Sequence, residues 1–531
     1  MHRKTQIING VEYVYEDTCY WDAKKKRGDH KRNYIGKMVE GAFVPNKRYL
    51  LRLELEKTKQ ESPKQGPAPV KECHREFYGA TYLLDKIGET AGVTQDLKQC
   101  FPSLYKHLLS VIYFLILEDK PLYRFHKWSL THCHPLKHDL PSQRSSELFS
   151  LITEADKMKF FKLQAERRLE TEFLAVDSTS ISSYSSLIKQ AKYGKNKDGD
   201  KLPQINLLLL LGQNSGLPAY YKKLPGNIPD VKTVTNLLKD VDFLKLDKVK
   251  LVMDRGFYSA DNVNAMYRQH YKFLVGGKLS LSFIKKKLEE IRFTLRTREY
   301  YHADGKIFAM GQLQEWPYEE KKPRSGEVVN DKRRIYVLYY YNAQKAVDDQ
   351  NRFYEELDMY EAELKSGKLN PEHQKQYDKY FIYGATPVRG MRVEAKQEAV
   401  ADAEKNFGYF ALLSNGISDP MEALRTYRLK DLIEKAFGNL KERLNMRRES
   451  VTSEENLDGK LFVQFVALIY LCRIKKVMDE KHLFAKYTLA ELLDELDVIE
   501  LYQQPNHATH VGEITAKQKA LFEAFGFEAP V

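Results

Sequence analysis

Cysteine is scarce in this chain: five in 531 residues (Cys19, Cys73, Cys100, Cys133 and Cys472), with no Cys-x-x-Cys pair. An odd, scattered set excludes a disulfide framework and fits the reduced thiols of a cytosolic protein. Long apolar runs are also missing. LLSVIYFLIL (108–117) and the stretch Leu461–Leu471, interrupted by Gln464, both fall short of the ~20 residues that span a bilayer, so each reads as a buried helix. The opening residues MHRKTQIINGVEYVYED contain no apolar segment that could act as a secretory leader, which predicts a soluble, cytoplasmic protein with no membrane partner. No internal repeat is evident. His132, Cys133, His134 and His138 cluster, but no second metal-spaced pair follows, so a structural zinc is not expected.

What is present is enough apolar material for several cores. The chain is 43% hydrophobic and 30% charged, and its length suggests three or four domains at roughly 150 residues each. Lys and Arg number 85 against 73 Asp and Glu, a net charge of +12. That excess favours a polyanionic partner, because each neutralised phosphate releases condensed counterions. It is concentrated early: residues 1–60 hold 14 basic and 8 acidic side chains. The run KKKRGDHKR (24–32) lies between two strand candidates. Lys24, Lys25, Lys26 and Arg27 are therefore candidate DNA contacts at a hairpin tip.

Periodicity divides the chain. Residues 1–55 alternate apolar and polar positions (GVEYVYED, NYIGKMVEGAFV, KRYLLRLEL), predicting a basic β-rich region. Residues 56–72, rich in Pro and Gln, read as a linker. Residues 73–168 carry apolar spacings of three and four, a helical module. From 169 to 278 strands and helices alternate, the first part of an α/β core with a mixed sheet and flanking helices. Residues 279–405 read as a strand-rich insertion. Residues 406–480 return to the α/β pattern, with one long helix from Pro420 to about Met446, and 481–531 form a polar tail.

Two aspartates follow apolar strand candidates. Asp177 comes after FLAV and Asp254 after VKLVM, which places both where ligands of open α/β sheets gather. On the helix MEALRTYRLKDLIEKAFGNLKERLNMRRES, Leu429, Leu432, Ile433, Ala436, Phe437, Leu440 and Leu444 form one apolar stripe. Tyr427, Lys430, Glu434 and Lys441 follow at intervals of three, four and seven and line its flank. Three converging carboxylates suit in-line phosphodiester chemistry. Two divalent cations about 3.5–4 Å apart steady both the entering and the leaving oxygen, and hard cations such as Mg²⁺ prefer carboxylate ligands.

Together these pieces resemble the bacterial insertion-sequence transposases of the DDE type, closest to the insertion-sequence-four family with its Y-x2-R-x3-E-x6-K signature. That stretch here is YRLKDLIEKAFGNLK, with Tyr427, Glu434 and Lys441 in register and Lys430 where the family usually has Arg. Lys keeps the charge and loses the bidentate fork, so the Arg role falls to Lys430 or to the neighbouring Arg428. AVDSTSIS and LVMDRGFYSADNV resemble the two Asp motifs of the family, and GLPAYYKKLPGNIPDVKTV the text between them. The resemblance implies a ribonuclease-H-like fold that holds two Mg²⁺ or Mn²⁺ ions through Asp177, Asp254 and Glu434. It implies double-stranded DNA as partner, both terminal inverted repeats and target. It also implies a homodimer in the assembled DNA complex, and cut-and-paste transposition with a hairpin step in well-known relatives. Tyr427 and Lys441 would contact terminal phosphates, and a base flipped from the end would stack on an aromatic of the insertion, with Trp316 as candidate. Two other readings keep the same fold: a catalytically silent DNA-binding repressor, and a structure-selective nuclease.

Overall fold

The computed structural model describes residues 2–22, 27–39, 41–60, 74–118, 120–167, 172–243, 249–321, 328–386, 390–444, 446–449, 451, 453–503 and 508–531. Its centre is one ten-stranded mixed sheet. The chain enters it with β1 (Phe173–Ser183), β2 (Gln204–Gly212) and β3 (Pro218–Pro225), then α1 (Asp230–Phe243), β4 (Lys250–Met253), α2 (Ala260–Arg268) and β5 (Lys272–Gly277). β1, β2 and β3 pair antiparallel, β4 lies parallel to β1, and β5 lies parallel to β4. The order β3-β2-β1-β4-β5 is the mixed sheet of a ribonuclease-H-like core. The run INLLLLL has no polar alternation because all nine residues of β2 are buried, with both faces of this strand covered.

Residues 279–405 do not build a separate strand-rich layer. Their long strands β6 (Ile307–Lys321) and β7 (Val328–Tyr341) continue the central sheet: β7 pairs with β8 (Tyr409–Ser414), and β8 with β5. The segment also holds a 24-residue helix, Ala343–Ser366. Alternation along the strands separates two cores. Leu251 and Met253, Phe273 and Val275, and Ala411 and Leu413 face one side. Val252, Leu274 and Leu412 face the other.

Three further expectations are corrected. KRYLLRLEL is not a strand: after four strands between His2 and Pro45, the helix Lys47–Gln60 begins there and runs into the expected linker. Its apolar residues Tyr49, Leu50, Leu51 and Leu53 suit either period, and the core formed by Val14, Ile35 and Tyr49 selects the helix. Residues 61–73 lie outside the described residues. The expected tail is also folded. Helices Leu489–Asp497 and Ala516–Ala524 join the main core, and the strand Glu500–Gln503 pairs with His74–Phe77 at the start of the helical module. Arg75 and Glu500 make an ion pair of 2.6 Å across that pairing. Finally, the helix predicted from Pro420 to Met446 is two helices, α3 (Pro420–Arg428) and α4 (Asp431–Gly438), followed by a π-helical turn, Asn439–Arg443.

The helix α5 (Glu454–Glu480) is buried all round in its middle, Leu461–Cys472, and packs on helices Tyr105–Glu118 and Ser142–Ser150. No helix among the described residues is long and apolar enough to cross a membrane.

Candidate active site

Asp177 does not end its strand. β1 continues to Ser183 beside β2; what ends at Val176, opposite Met253, is the parallel pairing with β4. Asp177 and Asp254 therefore follow directly on a matched pair of neighbouring strands, whose spacing is about 4.8 Å. Beyond Met253 the chain leaves the sheet in a short 3-10 turn, Arg255–Phe257, that opens the space above Asp254.

Asp177 accepts the backbone N–H of Ser178 at 2.7 Å and faces the Lys197 ammonium at 3.4 Å. Burial pushes its carboxyl above the usual carboxylate range; Lys197 and the Ser178 N–H oppose this, and nearby Asp230 adds to it. Lys197 also donates to the Ser178 hydroxyl at 3.0 Å, and that hydroxyl donates to Asp230 at 2.5 Å. Lys197 and Asp230 went unnoticed in the sequence. Asp230 is the first residue of α1, and Lys197 sits among the several lysines of AKYGKNKDGDK between β1 and β2. Only the folded hairpin brings them to Asp177.

Asp254 has the opposite balance. Burial pushes its pKa up, but the Tyr427 hydroxyl donating at 2.6 Å, the Lys430 ammonium at 3.8 Å and Arg255 together hold it below the usual carboxylate range. The same Lys430 lies 3.6 Å from Glu434, which is 61% exposed, so one ammonium joins the second carboxylate to the third.

The break between α3 and α4 explains that placement. Ala423 and Leu424 of α3 pack on one side of the sheet; Ile433, Ala436 and Phe437 of α4 pack on the other. The polypeptide crosses the sheet edge at Leu429–Lys430, and the amides of Lys430, Leu432 and Ile433 tighten to bonds three residues back. Leu429 drops out of the predicted stripe and is exposed. The crossing lies over the carboxyl end of β4, which is how Tyr427 and Lys430 reach Asp254.

Other predicted site residues go elsewhere. Lys441, within the π-helical turn, is mostly buried and paired with Asp198 at 2.6 Å. Arg428 is exposed and, with Arg255, Lys345 and Arg352, lines a cleft of about 840 Å³ that opens beside Asp254. Lys24, Lys25 and Lys26 lie outside the described residues; Arg27 opens the strand Arg27–Val39. Trp316 is not available for stacking. It is 5% exposed, its indole N–H donates to Asn264 at 2.8 Å, and Phe283 packs on it edge to face. An isolated Trp on a strand that joins the main sheet has its ring taken by the core.

The donor set fits divalent ions in chemistry: hard carboxylate oxygens already compensated by two ammonium groups, Lys197 and Lys430. Among the described residues no three His, Cys, Asp or Glu groups stand close enough to hold one ion together. Lys430 stands between two of the three carboxylates.

Comparison with known proteins places the chain. Two solved structures are similar over part of their length: the piggyBac transposase synaptic complex with hairpin DNA (TM-score 0.32, 9% identity, 84% of this chain and 75% of that chain) and the Mos1 transposase paired-end complex with left transposon end (TM-score 0.15, 11% identity, 49% and 84%). At those scores the likeness carries no argument. No curated protein matches. The profile of the family described as "Transposase DDE domain" matches residues 168–471, more than half of the chain and the whole of the sheet-and-carboxylate region, and the protein belongs to that transposase family.

Proposed function

We propose that the chain cleaves DNA at the ends of an insertion sequence and joins the freed ends to target DNA, with Asp177, Asp254 and Glu434 as its metal ligands. What supports this reading is that Asp177 and Asp254 follow matched positions on neighbouring strands and that one ammonium, that of Lys430, touches both Asp254 and Glu434. When bound between such carboxylates, Mg²⁺ or Mn²⁺ ions supply charge stabilisation for the attacking and leaving oxygens. The chain's own groups do the rest. Tyr427 donates its hydroxyl to Asp254 and so favours the ionised carboxylate. Lys430 and Arg428 are placed for backbone phosphates, which position DNA without reading its bases. Lys441 steadies the turn after α4 through Asp198. Two element ends brought together imply a homodimer on DNA.

The test is a plasmid carrying the gene's own flanking DNA, incubated with the protein and Mg²⁺ or Mn²⁺. Cleavage at inverted repeats followed by joining to a second plasmid supports the reading. Cleavage without joining turns it into a nuclease, and binding without cleavage into a repressor.

The acidity of Asp254 gives a second check. Its carboxyl is depressed in the folded protein, so it contributes stability above the ordinary carboxylate range, and this is lost as pH falls through the lower folded value. Tyr427→Phe removes the hydroxyl bond and part of that contribution. The metal-free variant should melt below wild type at neutral pH, with the gap closing in acid. A gap that stays constant with pH would separate Tyr427 from the ionisation of Asp254. Asp177, shifted upward, has the opposite sign: its ionisation costs stability once pH rises above its folded value.

A further inference from the structure

We infer that the loop between β1 and β2, residues 184–203, is a grip for an unpaired DNA strand at the rim of the carboxylate site. The loop is rich in groups left to solvent. Tyr193 is 72% exposed, Leu187 64% and Tyr184 59%. Interleaved with them, Lys189, Lys192 and Lys195 are exposed, and none of their ammonium groups has a hydrogen-bond or ion-pair partner among the described residues. Large side chains so exposed in one short segment do not serve a core.

The loop is nonetheless held firmly. Lys192 makes a two-way backbone bridge with Gln204, Asn196 donates to Ser182, and the Lys197 amide bonds the Ser180 hydroxyl. It is also tied to both halves of the site. Lys197 reaches Asp177, Asp198 takes Lys441 from the turn after α4, and Asp200 takes Arg448, whose guanidinium also bonds and overlies Tyr184. The surface so fixed offers aromatic faces among unpaired cations.

That chemistry suits one occupant. A strand with unstacked bases presents flat π faces and a phosphate at every step, and proteins that hold such strands combine stacking with a basic track. A duplex hides its base faces and would use only the lysines. A protein partner would call for acidic side chains, and those of this loop are already committed inward, on Lys441 and Arg448. The inference rests on the proposed DNA chemistry in one respect: strand cleavage at an element end is what would supply an unpaired strand here.

The experiment titrates the full-length protein, without divalent metal, into a fluorescently labelled oligothymidine and into a duplex of equal length. Tyr193→Ala should weaken binding of the single strand roughly five- to a hundredfold and leave duplex binding nearly unchanged, while Tyr193→Trp should restore it. Lys189→Gln, Lys192→Gln and Lys195→Gln together should lower the slope of log affinity against log salt by about 2 on the single strand. Equal single-strand affinity in wild type and Tyr193→Ala overturns the inference, as does equal loss on both substrates. Unaltered far-ultraviolet dichroism of the variants excludes misfolding, and the exposure of Tyr193 predicts it. Because no cleavage is read, a protein that grips the strand and never cuts it would sink the enzymatic reading and leave the grip standing. One that cuts while Tyr193→Ala binds normally would do the reverse.

Discussion

Alanine at Asp177, Asp254 or Glu434 should abolish metal-dependent cleavage of element ends while leaving binding of those ends intact or slightly tighter. Loss of even an outer partner of a metal ligand costs about 10–100-fold, so loss of a ligand is expected to exceed a hundredfold. Binding should persist because each change removes negative charge from the surface proposed to meet phosphates. The arrangement adds a distinction among the three. Asp254→Ala frees the Tyr427 hydroxyl and one contact of Lys430, whereas Glu434→Ala removes only an exposed carboxylate from Lys430. The first should therefore disturb the fold near β4 and the second should not. Gel analysis of cleavage beside a band-shift of end binding reads both quantities. Full cleavage by any one of the three would take that residue out of the site.

The second large effect concerns packing. Gly459 lies in the second turn of α5, and a methyl group there would come 2.1 Å from the carbonyl oxygen of Phe149 and 2.6 Å from its carbonyl and α carbons. These are backbone atoms of the helix Ser142–Ser150, which cannot rotate aside as a side chain can. Alanine improves helix propensity by up to about 1 kcal/mol, yet the collision forces the two helices apart. Overpacking of this kind costs typically about 1–3 kcal/mol, so Gly459→Ala should lower the urea midpoint, and Gly459→Leu should yield little folded protein. A wild-type midpoint for Gly459→Ala would mean that the helices separate freely.

The sequence was most informative where a single period dominated. β4 and β5 announced themselves as short apolar runs ending in turns, β1 by its apolar start FLAV alone, and the order of strands and helices from 173 to 277 led to the mixed sheet. It was least informative where one segment serves two surfaces. The stretch from Pro420 to Met446 carries a continuous helical stripe, and nothing local says that α3 and α4 belong to opposite faces of the sheet. Only the sheet, whose strands β1 and β4 lie more than a hundred positions earlier, forces the crossing at Leu429–Lys430. The same limit hid Lys197 and Asp230, whose role depends on a hairpin folding back over Asp177. Trp316 failed as a candidate for a related reason: the insertion was read as a separate unit, so a partner such as Asn264 from the core was out of view.

The pairing of Glu500–Gln503 with His74–Phe77 has a consequence for the order of events at the ribosome. Some 420 residues must be synthesised before the edge at His74 meets its neighbour, and Asp497 likewise arrives late to His132. The nascent chain can finish its carboxylate-bearing half first, while the earlier-made helices wait with apolar surface uncovered. Such long-range closure is slow and leaves intermediates prone to associate. A message truncated near codon 485 would therefore release a polypeptide that has all three carboxylates and no completed support for its amino-terminal half.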